Sequence, residues 1–286
     1  MDDLLRARLQ ITEGAALRIK ALRMAMSVID AFNRTFTGQS FFALREVENI
    51  LIRLDGRQGR DLIQMLLDEN GGTPVTPHGL ENIPKTGPTI IASTHPVGTF
   101  DFVAHAAALM DHRTDIKVVA NREAERFLGE DTIIPVDVDK NNRTQRARAT
   151  QHEMKAHLET GGALLIFGSG RVPFEDKNGY LVEPEWRSGT TRVSAACNVE
   201  IVPASANMRN SRHYYRTRNI ARFLSGGNEG FARTVASLRY ASELFAKLGQ
   251  KHDVFYGAPL PPGTPPEQIK EAAETLAPGL YRPAPV

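Results

Sequence analysis

The sequence predicts an α/β fold: a central sheet, mostly parallel or mixed, covered by helices, with a helical segment at the N-terminus. Three observations point there. The chain has 286 residues of which 41% are hydrophobic, ample for a large core. From Thr73 onward, short apolar runs alternate with helical patterns, which is the texture of strands covered by helices. Before that point the apolar residues recur at three- and four-residue steps instead.

In the first helix, Leu5, Leu9, Ala16, Leu17, Ala21, Met24, Val28 and Phe32 mark one face, with Arg6, Arg8, Arg18, Lys20, Arg23 and Arg34 as its basic content. Such a face either covers a core or rests on an anionic membrane surface, where apolar burial and cationic attraction add. A second helical segment runs from Phe42 to Leu67, and Asn70-Gly71-Gly72 stops it. This places a helical N-terminal segment at residues 1–72 and an α/β domain at 73–286.

In the α/β part, prolines 74, 77, 84 and 88 read as a loop. Strands are expected at Thr89–Ser93, Ile116–Ala120, Thr132–Ile134, Ala163–Phe167, Glu200–Pro203 and Asp253–Tyr256. Helices are expected near Phe102–Met110, Asn141–Glu159, Thr190–Ala196 and Gly230–Leu248, with a short one after Pro265-Pro266. The tail from Tyr281 to Val286 reads as a loose terminus.

Composition narrows the function. With 35 basic residues against 33 acidic and a mean hydropathy of −0.30, the chain is neither disordered, collagen-like nor a disulfide scaffold. The single cysteine, Cys197, allows no intrachain disulfide or cysteine-rich zinc site, so a reducing compartment is expected. No run approaches the roughly 18 to 20 apolar residues of a membrane span, and the N-terminus lacks the apolar core of a signal peptide. Between Met208 and Phe223, Arg209, Arg212, Arg216, Arg218 and Arg222 accompany His213, Tyr214 and Tyr215 with no acidic residue. That segment is either a solvated face or a surface for anionic partners such as lipid headgroups, CoA phosphates or an acyl carrier protein. It matches no nucleic-acid motif, and no nucleic-acid partner is expected.

The chemistry concentrates in Ile90-Ile91-Ala92-Ser93-Thr94-His95-Pro96-Val97-Gly98-Thr99-Phe100-Asp101. A buried strand runs into a histidine, a Pro/Gly turn and an aspartate opening a helix, where α/β sheets gather their sites. His95 has the side chain suited to a general base near neutral pH, and Asp101 can orient it through the other ring nitrogen. On a regular helix six residues turn through about 600° and rise about 9 Å, so the pair requires the loop that Pro96 and Gly98 favour. Otherwise His95 is a polar turn residue and Asp101 an N-cap. Ser169 lacks the glycine two residues before it that a nucleophile elbow needs. Gly168-Ser169-Gly170 also lacks dinucleotide-fingerprint spacing. His105, His112, His152 and His157 show no zinc spacing and read as surface or helix-packing residues.

Ser93 to Asp101 resembles the first motif of the PlsC-like glycerolipid acyltransferase superfamily, most nearly its hemolysin-like branch with a His-Pro-x-Gly-x-x-Asp form. Ile166-Phe167-Gly168-Ser169-Gly170-Arg171-Val172 resembles the third motif and Val199-Glu200-Ile201-Val202-Pro203-Ala204 the fourth. Phe127-Leu128-Gly129, Ile133-Ile134-Pro135-Val136-Asp137 and Arg143 stand where the second belongs. The resemblance covers about residues 75 to 208. It departs in having five residues between His95 and Asp101, Thr94 for asparagine, and Gly168-Ser169 for Pro-Glu.

The resemblance implies an O-acyltransferase. His95, oriented by Asp101, would take the proton of an acceptor hydroxyl that attacks the thioester of acyl-CoA or an acyl carrier protein, with no cofactor or metal. The Gly168-Ser169-Gly170 turn is expected to offer backbone N–H groups to an oxyanion. Arg171, and Arg143 ahead of Arg122, Lys140 and Arg146, are expected to hold a phosphate or carboxylate. The acceptor would be lysophospholipid-like. The absent motif-three glutamate keeps open a lyso-ornithine lipid or other hydroxyacyl acceptor, or a non-catalytic lipid- or acyl-CoA-binding relative. The expected location is cytoplasmic, peripheral on the inner face of the cell membrane.

Overall fold

The computed structural model describes residues 16–38, 40–136 and 143–282. The chain divides into two compact units, one reaching to Gly56 and joined by Asn210–Leu248, the other made of Arg57–Arg209 and the residues from Gly249 on. The boundary expected at residue 72 therefore falls differently. Residues 57–72 go with the sheet, and 210–248 leave it for the N-terminal helices. No composition shift marks either crossing.

The sheet unit has seven strands: β1 (Val75–His78), β2 (Thr89–Ser93), β3 (Ile116–Asn121), β4 (Ile133–Val136), β5 (Ala163–Phe167), β8 (Ile201–Ala206) and β9 (His252–Tyr256). Their order is β1-β9-β8-β2-β5-β3-β4, and a separate hairpin pairs β6 (Phe174–Glu175) with β7 (Leu181–Val182). Every neighbour in the large sheet is parallel except β8 with β9. The expected strands are all present within a few residues. β1 was hidden in the proline-rich loop; it lies at the sheet edge, where Pro77 deprives the ladder of little.

The central strands β2, β5 and β8 are buried almost throughout, as strands covered on both faces must be. Ile90, Ala92, Leu164, Ile166 and Ile201 join Met154 and Leu158 of the Arg143–Glu159 helix and Ile269 and Ala273 of the Pro266–Thr275 helix in one core cluster. Trp186 closes that cluster near the site described below.

In the helical unit, the Ala16–Thr37 helix buries Ile19, Met26 and Asp30. The Asp30 carboxylate accepts from Phe42 N–H at 2.5 Å and Leu44 N–H at 3.0 Å, satisfying donors at the start of the Leu44–Leu54 helix. The apolar row read from sequence lies elsewhere: Leu17, Met24, Val28 and Phe32 are all exposed. The expected Phe42–Leu67 segment is two helices, Leu44–Leu54 and Arg60–Leu67, because Asp55, Gly56 and Gly59 adopt φ values of 47°, 78° and 58°. Gly230–Leu248 also divides, into Glu229–Ser237 and Tyr240–Phe245. At the break, the buried Arg239 donates to Phe41 O at 2.8 Å and lies 4.1 Å over the Phe41 ring.

The Arg212–Leu224 helix carries most of the arginine cluster. Its acid partners come from outside the segment. Arg218 and Arg222 reach Glu229 at 3.4 and 2.9 Å. In the sheet unit, Arg209 reaches Glu175 at 2.5 Å. Arg212 and Arg216 remain exposed.

Candidate active site

β2 and β5 run parallel with Ser93 opposite Phe167, so the turns after them leave the sheet at one end. His95 follows β2, and Gly168–Arg171 follows β5. The Gly168 N–H donates to Ser93 O at 3.0 Å and the Thr94 N–H to Ala204 O at 3.1 Å, carrying the ladder past the strand ends. The Phe167 ring packs on the His95 ring with centroids 4.4 Å apart.

The loop at Pro96–Gly98 brings His95 and Asp101 together. Gly98 has φ 102° and ψ −116°, which a side chain would strain, and the Thr99–Leu109 helix begins directly after it. Asp101, fully buried, then points back over the turn. Its Oδ2 accepts from Gly98 N–H at 2.8 Å and Val97 N–H at 2.9 Å, and lies 3.0 Å from His95 Nδ1. The Nδ1 contact is close but off the line of a hydrogen bond. The His95 side chain is 19% exposed, with Nδ1 turned inward, so Nε2 is the ring nitrogen open to a ligand.

His105 lies one helical turn beyond Asp101. It is wholly buried, with Nε2 2.9 Å from Ser93 Oγ and Nδ1 3.1 Å from Tyr256 O–H. Burial pulls its pKa down to about 4; the nearby Asp101 opposes that shift and His95 adds to it. It is a neutral packing residue tying β2 to β9. His112 and His157 bond backbone carbonyls, at Ile83 and at Ala163 and Asp115 respectively, and His152 is exposed.

The turn after β5 differs from expectation. Gly168 is buried beneath Trp186: a Cβ added there would lie 2.0 Å from the indole Cδ2. A proline at this position would also lose the N–H given to Ser93. The Gly170 N–H goes to Phe167 O at 2.9 Å and the Arg171 N–H to Ser169 Oγ at 3.1 Å. These N–H groups close the turn on itself, so they are not donors held ready for an oxyanion. The Ser169 hydroxyl is likewise occupied, by Glu183 Oε1 at 2.8 Å and Arg171 O at 2.9 Å. Gly170 and the Arg171 side chain face solvent. Arg143 opens its helix, but its side chain, like Lys140 and Arg146, lies outside the described residues; Arg122 is exposed.

Glu183 escaped the sequence reading because no motif surrounds it. The β6–β7 hairpin returns the chain beneath the turn, held by Leu181 N–H to Leu280 O and Arg282 N–H to Leu181 O. Among the described residues, no cluster of three or more His, Cys, Asp or Glu side chains could hold a metal ion.

Fold and site define a class: an α/β protein with a histidine–aspartate pair at the carboxyl ends of its central parallel strands. Residues 74–207, which contain both turns, match the Acyltransferase family model. It is 26% identical over 184 residues to the lyso-glycine lipid O-acyltransferase of Bacteroides thetaiotaomicron, covering 64% of each chain. It is 24% identical over 184 residues to that of Phocaeicola vulgatus, covering 64% of this chain and 63% of that one. The match thus spans less than two thirds of the length of either relative. Among solved structures, it is similar to the 1-acyl-sn-glycerophosphate (LPA) acyltransferase PlsC of Thermotoga maritima. That comparison has a TM-score of 0.44 at 14% identity, over 93% of this chain and 99% of that one.

Proposed function

We propose that the protein transfers a fatty acyl chain from a thioester, acyl-CoA or an acyl carrier protein, to a hydroxyl of a lyso-lipid. The observation that carries this is His95 Nδ1 at 3.0 Å from the buried Asp101 carboxylate, within the stretch that matches the Acyltransferase family model. Nε2 takes the proton of the acceptor hydroxyl as its oxygen attacks the thioester carbonyl. The Asp101 carboxylate steadies the imidazolium that forms. When the tetrahedral intermediate collapses, the thiolate leaves and takes the proton from Nε2. Hydroxyl, thioester and imidazole balance the reaction without a metal or redox cofactor. With the Gly168, Gly170 and Arg171 N–H groups occupied, the exposed Arg171 side chain is the cation on that turn for a phosphate or carboxylate of either substrate.

Both curated relatives are named for a lyso-glycine lipid, which favours the second acceptor class, a lyso-lipid other than a lysophospholipid, such as a lyso-ornithine or lyso-glycine lipid. Thiol release from acyl-CoA and acyl carrier protein, measured against a panel of lyso-glycine lipid, lyso-ornithine lipid and lysophosphatidate, tests the reading. Turnover that survives His95→Ala overturns the mechanism. Absence of turnover with every acceptor supports the lipid-binding alternative.

The same reading places the protein on the cytoplasmic face of an anionic membrane. No helix among the described residues is long and apolar enough to cross one. The helical unit instead presents Leu17, Met24, Val28, Phe32 and Phe36 on its first helix and Ile220, Phe223 and Leu224 on the Arg212–Leu224 helix, all exposed. Arg18 and Lys20 accompany the first set, Arg212 and Arg216 the second. Exposed apolar side chains beside cations fit a surface-bound helix better than a solvated one.

A further inference from the structure

Glu183 lies beneath the turn that carries Arg171, only 2% exposed, and its hydrogen bonds do not balance if it is ionised. Ser169 Oγ has one hydrogen and stands within bonding distance of two acceptors, Glu183 Oε1 at 2.8 Å and Arg171 O at 2.9 Å, while accepting from Arg171 N–H at 3.1 Å. A carboxylate would compete with Arg171 O for that hydrogen. A carboxylic acid resolves the conflict: its O–H donates to Ser169 Oγ, and the serine hydrogen passes to Arg171 O. The second carboxyl oxygen, Oε2, is buried without a well-formed hydrogen bond; the Trp186 indole N–H adjoins the carboxyl, but its Nε1 is also left without one. An unpartnered carbonyl oxygen is tolerable in that position, whereas an unpartnered half of a buried carboxylate is costly.

We propose that Glu183 is a positioning residue that works as a neutral acid, locking the Ser169–Arg171 backbone so that the Arg171 side chain is presented to substrate. This rests on the acyl-transfer reading for what Arg171 holds, but not for the protonation of Glu183.

The surroundings support the neutral form. Burial pushes the carboxyl up to about 8; Ser169 and the adjoining indole N–H of Trp186 act against that, while Glu274 of the Pro266–Thr275 helix and Asp101 add to it. The buried Tyr281 also faces the group and is held in its phenol form by burial. No cation is among the groups that set this value.

The experiment compares wild type, Glu183→Gln and Glu183→Leu. In protein carrying carboxyl-labelled glutamate, the signal missing from Glu183→Gln should titrate near 8. Titration at the ordinary glutamate value, about 4.3, overturns the proposal. Glutamine keeps a donor for Ser169 and stays neutral, so its melting temperature relative to wild type should rise from pH 5 to pH 9; a fall overturns the proposal. In thiol-release assays at pH 6.5, Glu183→Leu should raise the KM for the substrate whose KM Arg171→Ala raises, on the order of tenfold, with a smaller change in kcat. Glu183→Gln should recover most of that loss and lack the wild-type decline above pH 8. Equal loss in both variants overturns the proposal. If no acceptor gives His95-dependent turnover, the acyl-transfer reading fails, and the carboxyl titration and melting series still decide the state of Glu183.

Discussion

Gly168 and Trp186 meet face to face: the indole occupies the space that a Cβ at residue 168 would need. The glycine is therefore part of how the turn after β5 closes. Gly168→Ala should destabilise the protein by about 1–3 kcal/mol, as overpacking of a closed site does. Adding Trp186→Leu should return part of that loss, which a urea-denaturation double-mutant cycle will show as coupling between the two sites. Additive losses would mean the contact does not govern the turn.

The His95–Asp101 pair should behave as one unit. His95→Ala is expected to lower kcat/KM by about 10²–10⁴-fold, the usual worth of a general base. Asp101→Asn should cost activity and also stability, by about 1–3 kcal/mol, because one carboxylate oxygen serves both Val97 and Gly98 N–H groups. The double variant should be no slower than the worse single one, as thiol-release kinetics will test.

Arg171→Ala should raise the KM for an anionic substrate about tenfold with little change in kcat, the mark of lost uniform binding. Arg171→Lys should recover less than half of the binding energy if the contact is bidentate. Full recovery with lysine would reduce the residue to a point charge.

His105 gives a pH prediction of definite sign. Its folded pKa of about 4 lies below the ordinary 6.5, so the unfolded chain takes up the proton first as pH falls. The stabilisation from keeping it neutral is complete above pH 6.5 and is lost progressively toward pH 4. By pH 5 the loss should reach about 2 kcal/mol. Denaturation at pH 8, 6 and 5 should show this slope in wild type and not in His105→Gln.

Flotation on vesicles tests the exposed helix faces. Met24→Asp and Phe32→Asp should each weaken binding by about 1–3 kcal/mol, the value of one large apolar side chain. Binding should also fall as salt is raised and as anionic lipid is replaced by zwitterionic lipid. Unchanged flotation in both variants would remove the first helix from the membrane surface.

Several features were legible in the sequence because they are local. β2 and β5 announce themselves as apolar runs, since a strand buried on both faces needs every side chain apolar or small. The turn at Pro96 and Gly98 is demanded by the six-residue step from His95 to Asp101, which no regular helix can close. The exposed row at Leu17, Met24, Val28 and Phe32 was also visible as a helical face, although periodicity cannot say whether such a face meets a core or a membrane.

Tertiary structure decided the rest, because it depends on groups brought together from distant parts of the chain. The arginine segment looked uncompensated until Glu175 and Glu229 folded against it. The glycine turn after β5 looked like a source of free N–H donors, yet Ser93, Phe167 and Ser169 take those of Gly168, Gly170 and Arg171. Glu183 carries no motif; only the β6–β7 hairpin, pinned to Leu280 and Arg282, brings it to Ser169. Residue type and spacing determined the histidine, its aspartate and the strands beneath them. Which donors are occupied and which acid is buried depends on packing between segments, and packing sets the local dielectric and the hydrogen-bond partners that control charge.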